Sequence, residues 1–463
     1  MEFRHESRDG GSRRGGGLYV KRLVRARHAI VGGEAVRDFA FVVDGERIVC
    51  VGEGGALAAA NPDLPCLDYG EDRLLAPGAV NGHSHCYQIL LRGWADDWGF
   101  ERWRDDALYR IIPQLEPEEL YWVALAAFVE MLGNGITTVV EFFYLNGAGT
   151  ARLEKLVEAA IDCGIRLVVA RAWMDAPQAP ALFREDLAAA RRDTLALAEE
   201  LRSAGVMVCP APHSLHAASP EMTRAAVDLA RELGVPAHMH VAEARYEVEQ
   251  VRARTGLTPI AFLDSLEVLG PHFVAVHAIW QTEEEKDLLA QRGAALIHNP
   301  VTNQYLGDGI ADLAGLRRRG VRVGLGTDCD LRPCMYDEMR AAAFLQKTAT
   351  LDGATLCARE AWLMGTREGA RAVGVEAGDF AEGCYADWCV IDRTHPSFHP
   401  WSHPVNQLVY VSDPGIVVET FVGARKVSDR RRAQRYGNER IGAELRKVAQ
   451  RLGLPLDHAA APA

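Results

Sequence analysis

The chain has 463 residues, of which 48% are hydrophobic and 25% charged, and it carries a formal net charge of -12. Such a length houses one large domain and a smaller one in an ordinary globular protein. The acidic balance counts against a nucleic-acid partner, whose phosphates call for Lys/Arg surfaces.

Ten cysteines without Cys-x-x-Cys spacing point to a reduced, cytoplasmic protein rather than a disulfide framework. The apolar run 123–132 is too short to span a membrane and is broken by Glu130. Residues 1–17 are polar and rich in Arg and Gly, without the apolar core of a secretion signal, and are expected to be a disordered leader. Residues 18–77 carry β-type runs at 18–24, 39–43 and 47–51, with turns at Gly32-Gly33 and Asp44-Gly45. Over 78–377 the pattern changes to strand–helix alternation. Strands are expected at 74–80, 135–144, 165–173, 206–214, 235–243, 273–279, 294–300 and 321–328, with helices such as 151–163, 220–233, 283–291 and 310–319. Eight such units close a TIM (β/α)8 barrel, here a distorted one. Residues 378–430 return to short strands (378–383, 384–392, 416–426), which are expected to complete a small β-sandwich with the N-terminal run. The remainder, 431–463, reads as a charged tail with a terminal helix.

Ligating and titrating side chains collect at the C-terminal ends of the barrel strands, where this fold does its chemistry. His83 and His85 follow the first apolar run; at i and i+2 on an extended segment they share a face and can bite one ion. His213 ends strand four, His238 and His240 end strand five, His277 strand six, His298 strand seven and Asp328 strand eight. His83, His85, His240 and Asp328 are assigned as metal ligands, a nitrogen and oxygen set suited to a single zinc ion, with Fe2+ or Mn2+ as alternatives. His238 lies on the same face as His240, and spacing alone leaves open which of them ligates. Glu243, three residues past His240, can take a proton from water and pass it to a departing nitrogen. His277 can orient the nucleophile or stabilise charge. Cys86 and Cys329 are read as packing residues, His298 as a residue shaping strand seven, and His395, His399 and His403 as inert members of a Pro-rich loop. Trp94, Trp98 and Trp103 in the first βα loop offer either a stacking surface or lid packing.

The motifs PGAVNGHSH, HMHVAE, VHAIW, HNPVTN and GLGTDCD together resemble the amidohydrolase superfamily over nearly the whole chain. The resemblance implies a distorted TIM barrel beside a small β-sandwich. It also implies one zinc ion, His240 rather than His238 as ligand, and proton-shuttling roles for Glu243 and His277. His-x-x-Glu on strand five, with no Lys at the end of strand four, is similar to the mononuclear deaminase branch. Within that branch NGHSHCYQ, VEFFYLN, APHSLHAASPE and YLGDGI resemble formimidoylglutamate deiminase. LLRGWADD, HNPVTN and GTDCDLRPCMYDEMRAA resemble the adenosylhomocysteine and triazine enzymes. Gln88, Tyr144 and His213 match substrate-contacting positions of the deiminase, while His216 stands where that family has an Arg. Trp103 and Arg104 are further substrate-binding candidates, with Arg104 or Arg332 as the replacement charge. The leading expectation is ammonia release from a small molecule, formimidoylglutamate deiminase-like. The alternatives are a heterocycle aminohydrolase or chlorohydrolase and, at a distance, a metal-free scaffold of the same fold. Self-association as a homodimer or larger oligomer is also expected.

Overall fold

A computed structural model describes residues 21–430 and 437–454. The leader expected over 1–17, the first residues of the run at 18–24 and much of the tail over 431–463 lie outside the described residues.

Five strands open the described chain: β1 (Arg22–Val31), β2 (Glu34–Asp44), β3 (Arg47–Glu53), β4 (Cys66–Asp68) and β5 (Arg73–Pro77). Eight parallel strands follow: β6 (Ala79–Ser84), β7 (Ile136–Phe143), β8 (Arg166–Trp173), β9 (Met207–Pro212), β10 (Ala237–Val241), β11 (Phe273–His277), β12 (Ala295–His298) and β13 (Arg322–Leu325). The last three are β14 (Trp388–Asp392), β15 (Val417–Val422) and β16 (Arg425–Asp429).

β1–β5 and β14–β16 form one eight-stranded sheet, in which β5 pairs with both β1 and β14 and so joins the two ends of the described chain. Its core is aromatic: Trp388 stacks on Phe421 with ring centroids 4.2 Å apart, and Phe41 stacks on Phe380 at 5.0 Å.

The parallel strands form two four-stranded sheets, β6–β9 and β10–β13. Their strands are apolar almost throughout because both faces are covered; every residue of β7 is buried. The two halves meet through single bridges, Ser84 with Asp328 and Ser214 with His240. The barrel is therefore pinched at two seams, and each seam carries residues proposed as ligands. Arg166 of β8 grips Asp387 with two bonds of 2.9 and 3.0 Å, and the Asp387 carbonyl accepts from Gly78 N at 3.1 Å. This joint fixes the first barrel strand against the eight-stranded sheet.

Several expected elements are redrawn. The strand expected at 74–80 is two strands broken at Gly78: β5 belongs to the outer sheet and β6 to the barrel. A Cβ at Gly78 would lie 2.1 Å from Thr137 Oγ1, so only glycine lets the chain cross between the layers. The helix expected over 310–319 is shorter, Leu313–Arg318, because Asp312 caps it by accepting from Gly315 N at 2.7 Å. Residues 378–383 form no strand, since Gly378 and Gly383 both take positive φ. The run 416–426 is a hairpin, β15 and β16, turning at Gly423 and Ala424, both with positive φ.

At the Ser84–Asp328 seam, a Cβ on Gly326 would lie 2.5 Å from Asn299 Oδ1 and 2.8 Å from both His83 N and O. The G326A substitution is expected to cost about 1–3 kcal/mol, seen as a lowered denaturant midpoint. At Gly353 an added Cβ meets nothing within 4 Å. G353A should stay within about 0.5 kcal/mol of the parent protein.

Candidate active site

The strand ends converge on one buried point. His83 Nε2 lies 3.1 Å from Asp328 Oδ1 and 3.2 Å from His240 Nε2, and His85 Nε2 lies 3.3 Å from the same Asp328 oxygen. These four donor atoms all fall within 4.8 Å of one another, and all four residues are buried. The β6–β9 half contributes His83 and His85; the β10–β13 half contributes His240 and Asp328.

Hydrogen bonds behind the rings decide what the rings can do. His85 Nδ1 donates to the Phe142 carbonyl and His240 Nδ1 to the His213 carbonyl, each at 2.9 Å. A carbonyl only accepts, so both protons sit on Nδ1 and both Nε2 lone pairs face the cluster. Burial pushes His85 down to about 3, and it holds His240 far below its usual range with help from the surrounding imidazoles. The rings are therefore neutral. Burial alone would raise the Asp328 carboxyl, but the His83 hydrogen bond and the neighbouring rings outweigh it and keep the group ionised.

The Nε2 lone pairs of His85 and His240 and the Asp328 carboxylate, crowded together, repel one another unless a cation lies between them. Four donors around a tetrahedral zinc would be separated by about 3.3 Å. The separations of 3.1–3.3 Å fit that figure. The donor set thus suits a divalent ion.

The loop that carries the candidate ligands His83 and His85 is clamped from below. Ser84, between the two histidines, lies 3.0 Å from Glu141 Oε2 and 2.7 Å from Asp330 Oδ2. Cys86 N donates to both oxygens of Glu141, and Asn81 Nδ2 donates to Thr327 Oγ1 at 2.6 Å. Burial raises the Glu141 carboxyl far above its usual range and Asp330 to about 7. Ala242, His277, Ala278, Asp328 and Asp330 all take positive φ at the strand ends. Such conformations persist where surrounding bonds over-determine them.

Glu243 and His277 stand at the rim of the cluster. His277 Nε2 is 3.6 Å from Glu243 Oε1 and 3.9 Å from Asp328 Oδ2, and it is buried without a hydrogen-bond partner. Burial raises the Glu243 carboxyl far above its usual range, and Asp308, Asp328 and Glu247 add to the shift. Glu247 in turn accepts from Glu243 N at 3.0 Å and fixes the turn that presents it.

An inner cavity of about 70 Å³ covers the cluster. It brings together His85, Gln88, Trp103, Arg104, Tyr144, His213, His216, His240, Glu243, His277 and Asp328, with His83 buried beneath it, whereas His238 and Arg332 do not line it. Gln88 Nε2 donates to the Tyr144 hydroxyl at 3.0 Å. His213 Nδ1 lies 3.0 Å from Ser214 Oγ, and burial lowers His216 to about 4. Arg104 is turned onto Asp105 through two bonds of 2.8 and 3.0 Å, and Arg332 pairs with Asp337 at 2.7 Å. His238 is buried outside the four-donor set.

Phe100, Leu108, Tyr109, Met174, Phe183 and Leu306 also line the cavity and carry no motif that would single them out. Cys329, read as packing, lines it as well, with Sγ 3.8 Å from Asp328 Oδ2. Trp94 and Trp98 pack on each other and do not line it. Phe100 and Leu306 separate it from an outer chamber of about 470 Å³, walled also by Tyr246, Trp280, Arg245 and Asp308. Among the described residues no helix is long and apolar enough to cross a membrane.

Comparison with known proteins bears on this arrangement. Residues 74–427 match the family model described as "Amidohydrolase family". A 5'-deoxyadenosine deaminase of Methanothermobacter thermautotrophicus is 33% identical over 359 residues, covering 76% of this chain and 81% of the relative. A 5-methylthioadenosine/S-adenosylhomocysteine deaminase of Desulfitobacterium hafniense is 32% identical over 417 residues, covering 88% and 93%. The crystal structure of an adenosine deaminase from Xanthomonas campestris with bound zinc superposes with a TM-score of 0.85 at 27% identity, covering 94% of this chain and 99% of that one. A zinc complex of an atrazine chlorohydrolase from Arthrobacter aurescens shares the fold, with a TM-score of 0.85 at 24% identity over 92% and 99%.

Purified protein is expected to carry about one divalent ion per chain, by elemental analysis. H240A and D328A should each bring it well below that value after dialysis, and chelation should lower the unfolding temperature. A D328A protein that keeps a full complement would remove Asp328 from the ligand set.

Proposed function

The chain belongs to the amidohydrolase family and is a metal-dependent hydrolase acting on carbon–nitrogen bonds, and we propose that it releases ammonia from an amino-substituted planar heterocycle of the adenosine type. The observation that carries this reading is the four-donor cluster with Glu243 and His277 at its rim, under a cavity walled by Phe100, Trp103, Tyr109, Tyr144 and Phe183. Aromatic walls favour a flat substrate.

His83, His85, His240 and Asp328 would hold one zinc ion, the ion bound in the adenosine deaminase of similar fold. When bound, such an ion supplies a nucleophile at neutral pH by bringing the pKa of water from about 16 to about 7. Glu243 takes the proton on its carboxylate and returns it to the departing nitrogen. Its raised affinity for a proton, set by burial and by Asp308, Asp328 and Glu247, suits a group that must hold one between the two transfers. His277 Nε2 faces the same space and donates a hydrogen bond to the atom on which negative charge develops. Gln88, Tyr144, His213 and His216 orient the substrate, and Trp103 closes over it.

The formimidoylglutamate alternative requires a free cation for the substrate carboxylate. Arg104 spends its fork on Asp105, and His216 is held neutral by burial. The relatives that are 32–33% identical also act on adenosine-type molecules, which favours the heterocycle.

An ammonia-release screen of the metal-loaded protein against 5'-substituted adenosines, aminotriazines and formimidoyl amino acids should give turnover on the nucleosides. Turnover confined to formimidoyl amino acids would overturn the heterocycle reading. E243Q should keep its metal and lose about 100-fold or more in kcat; unchanged kcat would remove Glu243 from the reaction.

A further inference from the structure

We propose that Asn303, anchored by Asp308, is a positioning residue that sets the tautomer of His277, so that Nε2 carries the proton directed into the cavity. The catalytic consequence rests on the proposed role of His277 as a hydrogen-bond donor to the reacting group; the tautomer itself follows from the local bonding.

Asn303 sits in the short helix Pro300–Leu306 and is fully buried. Its amide nitrogen lies 3.1 Å from Asp308 Oδ2 and 3.0 Å from His277 Nδ1. Asp308 Oδ2 accepts one N–H of this amide, whose NH2 end is thereby turned toward Asp308. The second N–H of that group then points at His277 Nδ1, which has to present a lone pair. Asn299 Nδ2 approaches the same nitrogen at 3.3 Å and supports the same assignment. A neutral imidazole holds one ring proton, which is left on Nε2.

The chain is folded to hold this brace. Gly307, at φ 74, ends the helix and turns the chain back, so that Asp308 N donates to the Asn303 carbonyl at 2.9 Å. Trp280 Nε1 donates to the Asp308 carbonyl at 2.9 Å, which ties the brace to the wall of the outer chamber.

Two kinds of partner thus sort histidines that share one cavity. Carbonyl acceptors behind His85 and His240 put their protons on Nδ1 and turn lone pairs toward the cluster. An amide donor behind His277 does the opposite. With the other tautomer, His277 would aim a lone pair at Glu243 and Asp328, 3.6 and 3.9 Å away, and would compete as a further metal ligand. With the proton on Nε2 it meets both carboxylates as a donor and stays outside the ligand set.

The test exchanges the two partners. In N303D/D308N, net charge and the Asn–Asp pair are kept, but an acceptor now faces His277 Nδ1. In zinc-loaded protein labelled with 15N-histidine, the His277 signal is identified by its loss in H277Q. It should show a one-bond N–H coupling at Nε2 in the parent protein and at Nδ1 in the exchange variant. Zinc per chain and KM should be unchanged while kcat falls about 10-fold or more. Should the exchange variant fail to fold, N303L, which removes the donor without adding charge, should populate both tautomers. A proton on Nδ1 in the parent protein, or a proton that stays on Nε2 alone in either variant, would overturn the proposal. The spectra decide this without a substrate, so failure of the deaminase reading would appear separately, as absence of ammonia release by the parent protein.

Discussion

Three imidazole nitrogens and a carboxylate on buried residues, pressed to within 3.1–3.3 Å of their neighbours, form the interaction on which the rest of this molecule depends. Lone pairs so arranged are unfavourable by themselves, because burial removes the water that would separate them. A cation turns the same arrangement into an attractive one. The four candidate ligands come in equal number from the two halves of the barrel, which otherwise touch at the seams through single bridges at Ser84–Asp328 and Ser214–His240. The ion that gives the site its chemistry would therefore also cross-link the fold.

Holding those donors in register needs polar groups deeper in the protein. Asn81, Ser84, Glu141, Thr327 and Asp330 form a buried network under the loop of proposed ligands, and the left-handed residues at the strand ends take the bends that aim His277 and Asp328 inward. Buried carboxylates are costly unless bonded. Glu141 meets that condition through Cys86 N and the Ser84 hydroxyl, both beside candidate ligands. Polar burial here is concentrated where orientation matters, while the outer sheet rests on stacked aromatic rings.

Much of the fold and of the site was legible in the sequence. Alternation of apolar runs with amphipathic stretches has a period that local chemistry imposes, and it marked the parallel strands and their number. Each candidate metal ligand is a polar side chain just past an apolar run, and such residues stand out because burying them without a purpose is unfavourable. Less legible were the places where one residue changes the layer a strand belongs to. Gly78 divides a continuous apolar stretch into an outer strand and a barrel strand, and its role is visible only beside Thr137, 59 positions on by sequence number (137 − 78). Phe100, Met174 and Phe183 look like any core residue until the loops that carry them fold over the cavity.

By itself, then, the sequence determined the strand–helix rhythm, the polar residues at the strand ends and the types of donor available for a metal, because these depend on neighbours near in the chain. Spacing left His238 and His240 equivalent, and only the tertiary structure decided between them on geometry, along with where Arg104 spends its charge and which ring nitrogen of His85 and His240 carries the proton. Those outcomes depend on groups brought from distant positions, such as the Phe142 carbonyl behind His85 and the His213 carbonyl behind His240. Hydrogen-bond direction is set by what lies within about 3 Å in space, and no local pattern of residues encodes that.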